Sequence, residues 1–129
     1  KIENATPAAK ELNNLKKVFG VSADSFFRRN EAVLSSEGTQ ILDLILGFLT
    51  KYPNLRLEIA CHSDNSGNVS SSQLMTQKRA EAMTNYLILN GISPLRLTAA
   101  GYGGTRPVAP NITEADRKKN RRIDFIIIK

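Results

Sequence analysis

One arginine falls among apolar side chains. On the segment from Ser72 to Leu89, Met75, Arg79, Ala82, Met83 and Tyr86 recur at spacings of three, four and seven, which sets them on one face of a predicted helix. A guanidinium stays protonated, and burying it alone costs several kcal/mol, so Arg79 needs a core carboxylate, a ligand anion or a path for its tip back to solvent. Asp64 offers the complementary charge where the strand expected over Leu55–His62 runs into the loop ahead of that helix, and ligand sites collect at strand ends. An acid and a base facing one cleft suit a zwitterionic amino-acid centre, the carboxylate taking its ammonium and the guanidinium forking onto its carboxylate. A plain Asp64–Arg79 salt bridge without ligand would use the same two residues.

Other chemistry finds little support. Cys61 and His62 are neighbours on a predicted strand, so their side chains point to opposite faces and form no thiolate–imidazole dyad. Glu58 and Asp64 have even spacing, but no second poised carboxylate accompanies them as glycoside cleavage requires. Gly101-Tyr102-Gly103-Gly104 lacks the Lys-Ser/Thr ending of a phosphate loop and reads as a tight turn near the site. A single Cys and a single His make neither an internal disulfide nor a zinc site. The expectation is therefore no enzyme, no metal and no cofactor.

The elements that would position Asp64 and Arg79 follow from hydrophobic period. Pro7 to Phe19 is a weakly patterned lead-in helix, and Phe26-Phe27 ahead of the polar Arg28-Arg29-Asn30 suggests a short strand and a loop. Ser35, Ser36 and Glu37 offer a helix start. Ile41, Leu44, Ile45 and Phe48, widened by Leu42 and Leu49, then form an amphipathic stripe that ends at Tyr52-Pro53-Asn54. Leu55, Leu57, Ile59 and Cys61 alternate with polar or small residues as a half-buried strand whose core face includes Cys61. A Ser-, Asn- and Gly-rich loop from Ser63 to Ser72 leads to the helix carrying Arg79, which closes at Asn90-Gly91. Leu95–Ala99 is a second strand, Thr113 begins a short helix that runs to Asn120 with Glu114 in its first turn, and Arg122–Lys129 is the last strand, with Ile123, Phe125 and Ile127 on one face. This pattern predicts an α+β or α/β sandwich with helices over a mixed sheet.

A chain of 129 residues, 41% hydrophobic, fits a single domain with one core. It begins at Lys1 rather than Met, and no apolar run approaches the roughly 18 residues of a membrane span, so a signal or membrane anchor is expected upstream. The net charge of +6 is compatible with a nucleic acid, a membrane surface or an anionic wall polymer. Arg117, Lys118, Lys119, Arg121 and Arg122 concentrate basic charge. The chain has no Trp and no aromatic-interleaved pattern for stacking bases, and the basic run leads directly into an apolar strand, so no nucleic-acid partner is expected.

A series of short motifs occurs in order along the chain: Cys61-His62-Ser63-Asp64 with Gly67, Met75-Thr76 followed by Arg79-Ala80, Asn90-Gly91-Ile92 with Arg96-Leu97, Gly101-Tyr102-Gly103, Pro107, Asn111-Ile112-Thr113, and Arg117 with Asn120-Arg121-Arg122-Ile123. Together they resemble the OmpA C-terminal-like family, the peptidoglycan-associating domains also found in peptidoglycan-associated lipoproteins and in flagellar stator proteins of the MotB type. The resemblance covers residues 26–129 and leaves residues 1–25 as a lead-in segment. It implies a two-layer α/β sandwich of the α+β class in the periplasm of a Gram-negative bacterium, on an outer-membrane or otherwise envelope-anchored parent.

The resemblance further implies non-covalent binding of the peptidoglycan stem peptide, with Asp64 and Arg79 holding the charged ends of diaminopimelate. By the same correspondence Asn30, Ser66 and Ser72 are polar contacts to the stem peptide, and Arg122 either borders the site or supports packing. Three positions depart from the family pattern: Cys61 replaces a Gly, Ser72 an Asn and Asp116 a Gly. Ser72 loses an amide donor and acceptor, which leaves the charged clamp intact and weakens its backbone contacts. An envelope interaction module that keeps the fold without gripping the wall is the alternative, and the sequence is also compatible with a homodimer.

Overall fold

The computed structural model describes residues 6–128, so the first five residues of the lead-in and Lys129 of the last strand lie outside the described residues. The lead-in contains helix α1 (Pro7–Phe19), capped by the Thr6 hydroxyl, which accepts from Ala9 N at 3.1 Å. Ala9 and Leu12 are buried on its inner side, and the Phe19 ring meets Phe26 and Phe125 edge-on with centroids 6.3 and 6.1 Å away. Glu11 accepts from Lys51 Nζ and Tyr52 Oη, each at 2.9 Å. The lead-in therefore shares the core of the rest of the chain.

The expected strand at Phe26-Phe27 is a four-residue helix instead, α2 (Ala23–Phe26), followed by a single bridge between Phe27 and Leu34. Both rings are buried, which two consecutive strand residues on a one-sided sheet could not achieve. Ser35 joins α2 to helix α3 (Ser36–Lys51): its hydroxyl donates to Ser25 O at 2.8 Å and accepts from Gly38 N at 2.9 Å. Ile41, Ile45 and Phe48 are buried as the stripe requires. Leu44 is 46% exposed, and Leu42 and Leu49 fill the core in its place.

Strand β1 (Arg56–Cys61) lies at the centre of a three-stranded sheet. Strand β2 (Leu97–Gly101) pairs with it in parallel, Ile59 opposite Ala99, and strand β3 (Ile123–Ile128) antiparallel, Ile59 opposite Phe125. The sheet is mixed, and helices cover one face, as expected. β2 begins two residues later than expected because Pro94–Arg96 forms a 3-10 turn capped by Ser93, which leaves Leu95 exposed. Arg96 donates from this turn to the carbonyls of Leu49, Leu55 and Tyr52 at 2.8, 2.8 and 2.7 Å, closing the end of α3.

Helix α4 (Val69–Leu89) is the crossover between β1 and β2. It starts three residues before Ser72 because the Asn68 side chain accepts from Ser71 N at 2.9 Å; the serine run belongs to the first turns, not to the loop. Its buried row is Thr76, Ala80, Met83, Thr84 and Leu87. Arg79 sits one step round, half-buried at the border of that row rather than in its middle. On the other face of the sheet His62 is buried beneath Tyr102, their rings stacked at 5.3 Å. Helix α5 (Glu114–Asn120) has a capping box in which Thr113 and Asp116 exchange hydrogen bonds.

Candidate functional site

Past the end of β1 the chain is pinned on both sides, His62 N donating to Arg122 O and Ser63 N to Gly103 O, each at 2.9 Å. The next residue, Asp64, faces a cavity of about 600 Å³ whose wall also includes Phe27 and Asn30 from the first loop, Ser72, Met75 and Arg79 from α4, and Glu114, Arg117 and Arg121 from the region of α5. A neighbouring depression of about 120 Å³ shares Asp64, Ser66 and Ser72 and extends the cleft past Gly67 and Gly104.

Asp64 is almost fully enclosed. Its Oδ1 accepts from Ser66 N at 2.9 Å and from the Ser66 hydroxyl, and its Oδ2 accepts from Arg121 Nη1 at 2.8 Å. Burial pushes the carboxyl up, but the Ser66 hydroxyl, Arg121 and the Ser66 amide outweigh it and hold the group below its ordinary value. Asp64 is therefore ionised at neutral pH.

Arg79 is oriented without being neutralised. Its Nε donates to Glu31 O at 2.8 Å and its Nη2 to Arg28 O at 3.3 Å, while its Cζ lies 5.0 Å from the centre of the Phe27 ring. Among the described residues no carboxylate pairs with Arg79. Burial lowers its proton affinity from the ordinary value, as expected of a guanidinium held from water without a counter-ion. The Asp64–Arg79 salt bridge is absent and Arg121 takes its place, so Arg79 retains N–H groups for an incoming anion.

Asn30 lines the cavity from a left-handed turn, φ 60°, a conformation Asn tolerates better than most residues. Ser66 lines it too, but its hydroxyl and amide are both engaged by Asp64. Ser72 stands at the junction of the two depressions. Arg122 is not among the lining residues: its Nε lies 3.3 Å from both carboxylate oxygens of Asp124, which also lies 3.1 Å from His62 Nε2. Neighbouring residues in extended chain face opposite ways, so Arg122 shares the outer face with Asp124, whereas Arg121 shares the inner face with Ile123 and reaches the cavity. That parity was available from the apolar alternation of β3 and would have selected Arg121 over Arg122. Cys61 lies in the core behind the site, where burial pushes its thiol up to about 12, so it is an inert apolar filler at the position of the expected Gly.

Asn120, fully buried, carries a structural load that its place in a motif did not disclose. Its Oδ1 accepts from Val108 N and Ala109 N at 2.7 and 3.0 Å, and its Nδ2 donates to Ala109 O and Asn111 Oδ1 at 3.0 and 2.7 Å. These bonds fold the loop against α5 and so set where Glu114, Arg117 and Arg121 stand. Asn120→Ala is expected to lower stability by about 3 kcal/mol, because it leaves buried backbone groups unpaired. Urea unfolding checks this, and a midpoint within error of wild type would refute it.

The sequence model of the OmpA family matches residues 26–121. Outer membrane porin F of Pseudomonas fluorescens is 35% identical over 108 residues, covering 84% of this chain and 33% of that protein. Peptidoglycan-binding protein ArfA of Mycobacterium tuberculosis is 28% identical over 101 residues, covering 78% of this chain and 31% of that protein. The chain thus spans about a third of the length of either relative. Among solved structures, the peptidoglycan-associated lipoprotein of Burkholderia pseudomallei superposes with a TM-score of 0.72 at 26% identity, covering 81% of this chain and 88% of that one. With the mixed sheet, the covering helices and most of the sequence in agreement, this chain belongs to the OmpA family.

Proposed function

We propose that the domain binds peptidoglycan non-covalently through the diaminopimelate of the stem peptide and so holds its parent protein to the cell wall. The observation that carries this reading is Arg79: a guanidinium fixed by two carbonyls and an aromatic face, open to a cavity, and unpaired with any carboxylate among the described residues. Diaminopimelate presents an ammonium and a carboxylate on one side-chain carbon. The carboxylate meets the free edge of Arg79 in a forked pair, and the ammonium turns toward Asp64. Asn30 and Ser72 provide polar groups for the adjoining peptide. This is binding without turnover, and no residue of the cleft is assigned a chemical step.

Names borne by the relatives support the reading: one is a peptidoglycan-binding protein, one a peptidoglycan-associated lipoprotein and one an outer membrane porin. They favour a periplasmic setting on an envelope-anchored parent. The test is sedimentation with purified sacculi of two kinds, one cross-linked through meso-diaminopimelate and one through L-lysine, which lacks the second carboxylate. The chain is expected to pellet with the first, to be released by free meso-diaminopimelate, and to pellet poorly with the second or as Asp64→Asn. Equal sedimentation with both wall types, or none with either, rules the proposal out.

A further inference from the structure

The acidic end of the cleft is not a free carboxylate. Both lone-pair sites of Asp64 Oδ1 are taken by Ser66, and Oδ2 already faces Arg121 at 2.8 Å. A cation arriving there meets a cation in residence. Arg121, however, is shared: its Nη2 lies 2.7 Å from Glu114 Oε2, and its Nε and Nη2 each lie 3.4 Å from an oxygen of Asp24. Arg117 Nε lies 3.3 Å from the other oxygen of Glu114. Three carboxylates and two guanidiniums thus leave one net negative charge at this end, and without Asp24 and Glu114 the sign reverses.

We propose that Asp24 and Glu114 are specificity-determining residues, which hold Arg121 between them and so keep the Asp64 end of the cleft negative enough to accept an ammonium. This rests on the reading of Asp64 as the ammonium-binding end. Asp24 precedes residues 26–121, the stretch matched by the family model, so the lead-in contributes to the site itself. Both acids are well exposed, 49% and 68%, so their ion pairs contribute little to stability. The remaining charged side chains of the cavity, Arg29 and Arg79, are cationic and leave no other source of negative potential.

Calorimetric titration of the chain with a soluble stem tetrapeptide containing meso-diaminopimelate tests this. Asp24→Asn and Glu114→Gln are each expected to weaken binding about tenfold and the pair about fiftyfold, the effect of leaving the Arg121 charge beside Asp64 unopposed. Adding Arg121→Gln to the pair removes the unopposed counter-ion and is expected to recover about tenfold, a rescue that no packing defect would show. The acid limb of the binding curve should then also move to higher pH, because Asp64 has lost one of the groups holding its carboxyl down. Should the pair fail to fold, the single variants carry the test. Loss in the pair without rescue, or unchanged binding in the pair while Asp64→Asn loses it, overturns this inference alone. Unchanged binding in Asp64→Asn overturns the reading of the cleft and this inference with it.

Discussion

Arg79→Ala is expected to leave the chain in solution when diaminopimelate-type sacculi are pelleted, with affinity for the stem peptide reduced about 100-fold or more. Two charge-assisted hydrogen bonds account for a loss of that size, since about 1.4 kcal/mol corresponds to each factor of ten. The variant should remain folded. Arg28 and Glu31, whose carbonyls now receive the guanidinium, are both exposed, so water can replace the lost donors. Arg79→Lys keeps the charge but not the fork or the two orienting bonds, and a loss of about tenfold is expected. Residual binding of Arg79→Ala should no longer distinguish diaminopimelate from lysine walls, because both offer Asp64 the same ammonium. Calorimetry together with an unfolding curve decides: wild-type affinity in a folded Arg79→Ala would remove the guanidinium from the site.

Gly101→Val is expected to destabilise the fold by about 3 kcal/mol or more, enough to unfold a marginal domain. The cause is an approach of two backbones. A Cβ at Gly101, the last residue of β2, would lie 2.1 Å from Gln77 N and 2.5 Å from Gln77 Cα, in the wall of α4. A helix backbone cannot yield as a side-chain tip can, so strand or helix must shift. That shift would break the bond from Gly101 N to Gln77 Oε1 at 2.9 Å and the donation of Gln73 Nε2 to Gly101 O. Gly101→Ala should show the same defect, more mildly. Urea unfolding measures it, and a midpoint equal to wild type would contradict so close an approach.

The readable parts of the sequence were those where one periodicity acts alone. The stripe through Ile41, Ile45 and Phe48 and the alternation Leu57, Ile59, Cys61 each face one core, and both elements form where period places them. Errors arose where a local interaction competes with pattern. Asn68 caps a helix that a serine-rich stretch disguised as loop, and Ser22 caps a four-residue helix where two phenylalanines suggested a strand. Pro94 turned the chain before β2 although Leu95 extends the apolar run.

That Asp64 and Arg79 line one cavity was legible in the sequence, Arg79 because a guanidinium among apolar neighbours demands an explanation and Asp64 because it follows the end of a strand. Arg121 required the parity of β3 to be followed two residues before its start. Asp24 was out of reach: it meets Arg121 across 97 positions, from a segment that carries no motif.

The junction between the lead-in and β3 has a mechanical consequence. Val21 O accepts from Ile123 N at 2.8 Å, and Ala23 N donates to Arg121 O at 2.9 Å. Arg121 in turn grips Asp64. A pull on α1 therefore reaches Asp64 through two main-chain bonds and one ion pair, beside the bonds that tie Glu11 to the end of α3. The load path is short, and it runs in parallel with the packing of Leu12 and Phe19 on the core.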